Sequence, residues 1–107
     1  MKYLITEHLK KQIRRLEKRF RNIKSDLYES LTDLKIENEV SIGKSIYKIR
    51  IKSSDLKTGK SGGFRSYIYL FRKNELLVPI CIYFKGDQKN ISSEELMYHF
   101  DESSREL

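Results

Sequence analysis

The sequence predicts an α+β domain, with a helical hairpin packed on a mainly antiparallel sheet of about four strands and a short C-terminal helix closing the chain. Three observations carry this. Apolar residues recur at helical spacing between Leu9 and Leu34, the period changes to two after Ile46, and Ser92 with Glu95 is the signature of a helix start.

Tyr3-Leu4-Ile5 reads as a short first strand. Leu9, Ile13, Leu16 and Phe20 then form the apolar stripe of a helix beginning at Glu7, while Lys10, Lys11, Arg14, Arg15, Lys18 and Arg19 occupy its other faces. Asn22 is the break or cap, after which Ile23, Leu27, Leu31 and Leu34 repeat the spacing in a second helix. A helix pair this small makes no core alone, so each stripe needs a further layer. Residues 35 to 45 read as a loop. In Ile46 to Lys52, Tyr47, Ile49 and Ile51 alternate with Lys48, Arg50 and Lys52, the pattern of a half-buried strand. Ser53 to Gly63 is a polar, glycine-bearing loop. Phe64 to Phe71 is a strand with Phe64, Ser66, Ile68 and Leu70 on one face and Arg65, Tyr67, Tyr69 and Phe71 on the other. A tight Lys73-Asn74-Glu75 connection leads back along Leu76 to Phe84 as an antiparallel hairpin. Pro79 donates no ladder bond, which predicts a bulge or an edge position there. The last helix opens at Ser92 and runs to about Phe100, leaving 101–107 as a frayed tail. One sheet face packs the helices. The other is expected to stay wet, as an antiparallel sheet permits and a ligand groove requires.

With 107 residues the chain reads as a single domain, 1–107, holding one modest core. Seven Tyr and five Phe argue against disorder even though 35% of the residues are charged. No apolar run approaches the roughly 20 residues of a membrane span, and charge interrupts the first residues too early for a secretory signal. A cytoplasmic setting with no membrane contact is expected, and the single cysteine, Cys81, agrees with it. The net charge of +7 is uneven: residues 44 to 89 hold eleven Lys and Arg against three acids, and residues 90 to 107 hold one against five. A basic body of this kind suits a polyanion, of which a phosphate backbone is the commonest.

Gly59-Lys60-Ser61 has the look of a phosphate loop, but Ser54 stands where that pattern needs its first glycine, and a strand follows where it needs a helix. His8 and His99 lie in opposite terminal helices and Cys81 in a strand, a spacing unlike any zinc signature, so no metal and no other cofactor is expected. The histidines read as surface or packing residues, and Cys81 as a small buried hydrophobe. What remains is a basic aromatic constellation. Alternation puts Arg65, Tyr67 and Tyr69 on one face of their strand, and Cys81, Tyr83 and Lys85 on one face of the next. Such a platform binds single-stranded nucleic acid by stacking bases on aromatics while cations hold the phosphates, although Tyr and Phe are also ordinary packing residues of strands.

The stretch from Tyr47 to Asp55, the run Gly59-Lys60-Ser61-Gly62-Gly63-Phe64-Arg65 and the run from Ile82 through Tyr83-Phe84-Lys85-Gly86-Asp87-Gln88 to Ser92 together resemble the HigB-like branch of the RelE/ParE toxin superfamily. Arg19 to Leu27 resembles that branch's helical hairpin, so the resemblance spans residues 7 to 96. It implies a RelE-like fold with a twisted sheet and a bacterial type II toxin, a ribosome-dependent endoribonuclease that cuts mRNA. It also implies a cognate antitoxin that holds the toxin inactive and carries a DNA-binding helix-turn-helix domain. By motif position it implies Arg65 near the scissile phosphate, Lys85 as the basic residue ending the last main strand, and Lys57 and Lys60 in the basic loop. Phe84 departs from the pattern, which commonly has Ser or Ala between the tyrosine and the lysine.

Within that implication, cleavage without metal by attack of a 2′-oxygen on its own phosphate needs a proton acceptor, a cation for the phosphorane and a donor for the leaving oxygen. Lys85 is the candidate base, because like charge from Arg65 and Lys89 disfavours the protonated form of a lysine. Arg65 stabilises the phosphorane, Tyr67 stacks a base or orients the phosphate, and Asp87 positions Lys85 or Lys89. Lys57, Lys60, Tyr69, Tyr83 and Lys89 complete the RNA-binding surface. Two other functions suit a similar fold: a ParE-type toxin that inhibits DNA gyrase by binding, and a non-toxic RNA-recognition-like module. The phosphate-handling cluster argues against the first and the element order against the second.

Overall fold

The structure, a computed structural model, describes residues 2–56, 63–71 and 75–107. Five strands form one sheet in the order β1-β5-β4-β3-β2, mixed because β1 (Lys2–Tyr3) runs parallel to β5 (Leu76–Phe84). The helix α1 (Glu7–Glu17) starts at Thr6, whose buried hydroxyl accepts from the Leu9 amide at 3.1 Å. Leu9, Ile13 and Phe20 are buried, as are Ile23, Leu27 and Leu31 of α2 (Ile23–Thr32). They pack on Ile49 and Ile51 of β3 (Ile46–Ile51), Phe64, Ile68 and Leu70 of β4 (Phe64–Phe71), and Leu77 and Ile82 of β5. The alternation of β3 and β4 chose that face correctly, and the α+β class with its helical hairpin stands. Asn22 opens α2, but its side chain makes no cap. Its backbone and side-chain amides instead donate to the Asp55 carboxylate, both at 2.9 Å, and tie the hairpin to the segment after β3.

Three expectations change. The second sheet face is not wet, because α3 (Ser93–Ser104) covers it: Ile91, Leu96 and Phe100 pack with Tyr67, Val78, Ile80, Cys81 and Tyr83. Ser92 Oγ accepts from the Glu95 amide at 3.0 Å as the capping signal required, but the helix runs on to Ser104. Residues 101–107 are therefore not simply frayed. Ser103 is buried, and the Glu106 carboxylate accepts from the amides of Glu7 and His8 at 2.7 and 3.2 Å. A polar tail is held here by the positive end of α1 rather than by apolar burial. Residues 35 to 45 contain a 3₁₀ turn at Ile36–Asn38 and the strand β2 (Val40–Ser41), antiparallel to β3. A strand of two exposed residues offers no alternation to read.

The bulge expected at Pro79 is present. Tyr67 faces Cys81 and Ile68 faces Pro79, so Ile80 is the extra residue of β5. β1 reaches only Leu77, and Pro79 is thus paired on the β4 side alone. Before the bulge Val78 and Ile80 face α3; beyond it Cys81 and Tyr83 do. The displaced backbone groups take side-chain partners. Gln12 accepts from the Ile82 amide at 3.0 Å and donates to the Ile80 carbonyl at 3.4 Å, and Ser66 Oγ donates to the Cys81 carbonyl at 2.6 Å. That accounts for a buried glutamine on the core side of α1.

α1 and α3 meet through the two histidines, His8 Nε2 lying 2.7 Å from His99 Nδ1. Sequence separation had kept this pair apart. Burial lowers both imidazoles below their ordinary 6.5; Glu102 and Glu106 work against this at His8, while at His99 the His8 ring adds to it and Glu95 opposes it. The unfolded chain takes up these protons near pH 6.5 and the folded chain only lower, so the stability present above that pH is lost as pH falls below it. Urea midpoints at about pH 7.5 and about pH 5.5 are expected to show the loss, and His99→Gln to reduce it. Among the described residues no helix is long and apolar enough to cross a membrane.

Candidate active site

Arg65 is the second residue of β4, and its register partners are Arg50 on β3 and Tyr83 on β5. Two arginines directly opposite each other repel. Arg65 is only 6% exposed, its guanidinium donates to the Phe64 carbonyl at 3.2 Å, and no ion pair to it forms among the described residues. A buried cation without an anion is unfavourable unless a ligand supplies one.

It lines a groove of about 810 Å³ together with Lys48, Arg50, Lys85 and Lys89, with Glu39 and Asn90 also in the wall. The register of β3 on β4 sets Lys48 opposite Tyr67, and its Nζ lies 5.9 Å from the centre of that ring. The same ammonium donates to Asn90 Oδ1 at 3.2 Å, which fastens the segment after β5 to β3. Lys85 follows β5 directly, and its amide donates to the Gly63 carbonyl at 3.0 Å. Gly63 has a φ of +104°, and a Cβ there would stand 2.5 Å from the Ile51 carbonyl oxygen. Only glycine lets the chain enter β4 this close to β3.

The tyrosines have another role than the one expected. Tyr67 and Tyr83 are 6% and 8% exposed beneath α3, and Tyr69 stands edge-on to Phe100 with ring centres 5.0 Å apart. They form the packed layer behind the groove and offer no open surface for stacked bases. Tyr83 donates to the Lys89 carbonyl at 3.4 Å and so braces the segment carrying that lysine. Burial pushes the Tyr83 hydroxyl up to about 12, with Tyr67 and Cys81 adding and Arg65 opposing, and burial raises Tyr67 as well. Both hydroxyls therefore keep their protons at neutral pH, and that of Tyr83 acts as a donor. Burial also pushes the Cys81 thiol up to about 12, in keeping with a small hydrophobe. Asp87 is held by Arg19, Nη1 to Oδ2 at 2.7 Å, and not by Lys85 or Lys89.

Arg65, Lys85 and Lys89 thus come together, whereas Tyr67, Tyr69, Tyr83 and Asp87 stand behind or beside them. Lys57 and Lys60 lie outside the described residues. Lys48 and Arg50 line the same groove and are not among the residues the sequence pointed to. Alternation had already put them on one face of β3, but only the register with β4 shows that this face meets Arg65. A second groove, of about 590 Å³, is lined by Asp26, Glu29, Asp33, Arg50 and Lys52 among others. Its carboxylates repel phosphate, and Asp26 is already engaged by the amide and hydroxyl of Ser54. Among the described residues no three His, Cys, Asp or Glu side chains are grouped to hold a metal ion.

The site is thus a cationic groove across β3, β4 and the end of β5, in a domain that sets a helical hairpin on a five-stranded sheet. The family described as "RelE toxin of RelE / RelB toxin-antitoxin system" matches residues 6–105, and the chain belongs to that family. Among solved structures, a double mutant of the E. coli toxin RelE in the free state is similar with a TM-score of 0.53 at 19% identity. The match covers 99% of this chain and 96% of that one, and at this identity it shows a shared fold. No curated protein matches the sequence.

Proposed function

We propose that the protein is an mRNA-cleaving toxin of the HigB-like branch, acting on messages in the ribosome by metal-independent attack of a 2′-hydroxyl on the adjacent phosphate. Arg65 carries this reading: a buried guanidinium, unpaired among the described residues, faces a groove that four further cations line. In the proposed step the 2′-hydroxyl gives its proton to the amine of Lys85, the 2′-oxygen bonds to phosphorus, and the bond to the 5′-oxygen breaks. That oxygen takes back, through solvent, the proton that Lys85 accepted, leaving a cyclic phosphate, a free 5′-hydroxyl and the lysine as it began. Arg65 stabilises the phosphorane charge, and Lys48, Arg50 and Lys89 hold flanking phosphates. The outer face of α1, with Lys10, Lys11, Arg14, Arg15 and Lys18, adds a positive surface that draws the protein toward ribosomal RNA.

The cognate antitoxin, with its own helix-turn-helix domain, would block the groove with acidic side chains or keep it out of the ribosome. Message ends mapped in a translation extract with intact ribosomes test the reading. Wild type is expected to cut, and Lys85→Ala to slow cutting by about 10²-fold or more. Intact messages alongside DNA damage would replace this reading with gyrase inhibition.

A further inference from the structure

Lys85 sits in a turn whose other contacts come from the segment between α1 and α2. Arg19 donates to Asp87 Oδ2 at 2.7 Å, and its guanidinium carbon lies 5.0 Å from the Phe20 ring centre and 5.3 Å from that of Phe84. The rings of Phe20, Phe64 and Phe84 pack on one another, with centres 4.6 to 5.8 Å apart. Phe84 also presses on the turn itself, since a Cβ on Gly86 would stand 2.4 Å from its ring. The amides of Asp87 and Gln88 both donate back to the Phe84 carbonyl, at 3.0 and 3.4 Å. Arg19, Phe84, Gly86 and Asp87 thus close a circuit of contacts around Lys85. An exposed ion pair alone fixes little. Here the planar guanidinium is also held against two rings, a hold that a lysine ammonium does not reproduce. This circuit gives a purpose to Phe84, the residue that departs from the family's small side chain at this place.

We propose that Arg19 is a positioning residue of the groove: from the turn between α1 and α2 it grips Asp87 and Phe84 and thereby fixes the turn that presents Lys85. The inference rests on Lys85 taking part in RNA cleavage. Arg19→Gln removes a positive charge and Asp87→Asn removes a negative one, so a purely electrostatic role would move RNA affinity in opposite directions. A positioning role slows single-turnover cleavage by about tenfold in both and leaves affinity within about twofold. The double variant is expected to be no slower than either single one, because the two residues act as one unit. Arg19→Lys, which keeps the charge without the stack, is expected to recover only part of the rate.

Amide exchange at Asp87 and Gln88 gives a readout independent of activity, and it is expected to quicken in both single variants. Unchanged exchange, additive rate losses, or full cleavage despite faster exchange would each overturn the proposal. A wild type that cuts no message would instead overturn the nuclease reading, and the positioning role with it, and the wild-type reaction tells the two failures apart.

Discussion

Arg65→Met is expected to slow message cleavage by about a hundredfold to a thousandfold, the range seen when one donor to a developing oxyanion is removed. The same variant is expected to fold more stably, by about 1 kcal/mol or more. Both effects follow from one arrangement. The guanidinium is buried, faces Arg50 across the ladder and has no carboxylate partner among the described residues, so an apolar side chain of similar length removes a repulsion and a desolvated charge. Only bound phosphate turns that cost into a use. Single-turnover cleavage with ribosomes and a urea midpoint read the two halves separately. A variant that is less stable yet cuts as fast as wild type would place the anion site elsewhere. Arg65→Lys should remain slow, because an ammonium lacks the planar fork that meets two phosphate oxygens at once.

Binding of single-stranded RNA is expected to weaken about a hundredfold between roughly 50 and 200 mM salt. Lys48, Arg50, Arg65, Lys85 and Lys89 line the groove. Each phosphate that such a cation neutralises on a single strand contributes a log-log slope of about −0.7, so five give about −3.5. Lys48→Gln and Lys89→Gln should each make the slope shallower by about 0.7. Antitoxin binding should depend less on salt, because buried apolar anchors carry most protein–protein affinity and peripheral charges mainly set the association rate. A flat slope, or one these substitutions leave untouched, would show that the groove cations are merely solvated.

Local periodicity reached as far as local geometry does. The stripes of α1 and α2, the core face of β3 and β4, the Ser92 cap and the Pro79 bulge were all legible, because each depends on residues a few positions apart. Long-range placements were not. That α3 covers Tyr67 and Tyr83 depends on where a helix lands, and its mixed sequence, with Leu96 and Phe100 as the main anchors, gave little sign of it. The His8 and His99 contact and the hold of Glu106 on α1 join opposite ends of the chain. Motif position pointed to Arg65 and Lys85, which both line the groove, whereas Lys48 and Arg50 needed strand register and the tie from Asp87 to Arg19 needed the hairpin packed in place.

The bulge at Ile80 gives β5 two phases. Leu76 to Ile82 is apolar throughout, so either phase satisfies both sides of the sheet equally well, and hydrophobicity alone does not choose between them. The choice is felt only further on, where Tyr83 has to lie beside Arg65 and Lys85 has to reach the groove. A β5 that kept Ile80 in an unbroken ladder would be as hydrophobic and as strand-forming as this one, yet it would carry both residues round to the side of α1 and α2. Whether β5 absorbs Ile80 in a bulge thus decides whether the groove has its lysine, and Gln12, on a helix far from the groove in sequence, holds that bulge by binding the backbone where the phase changes.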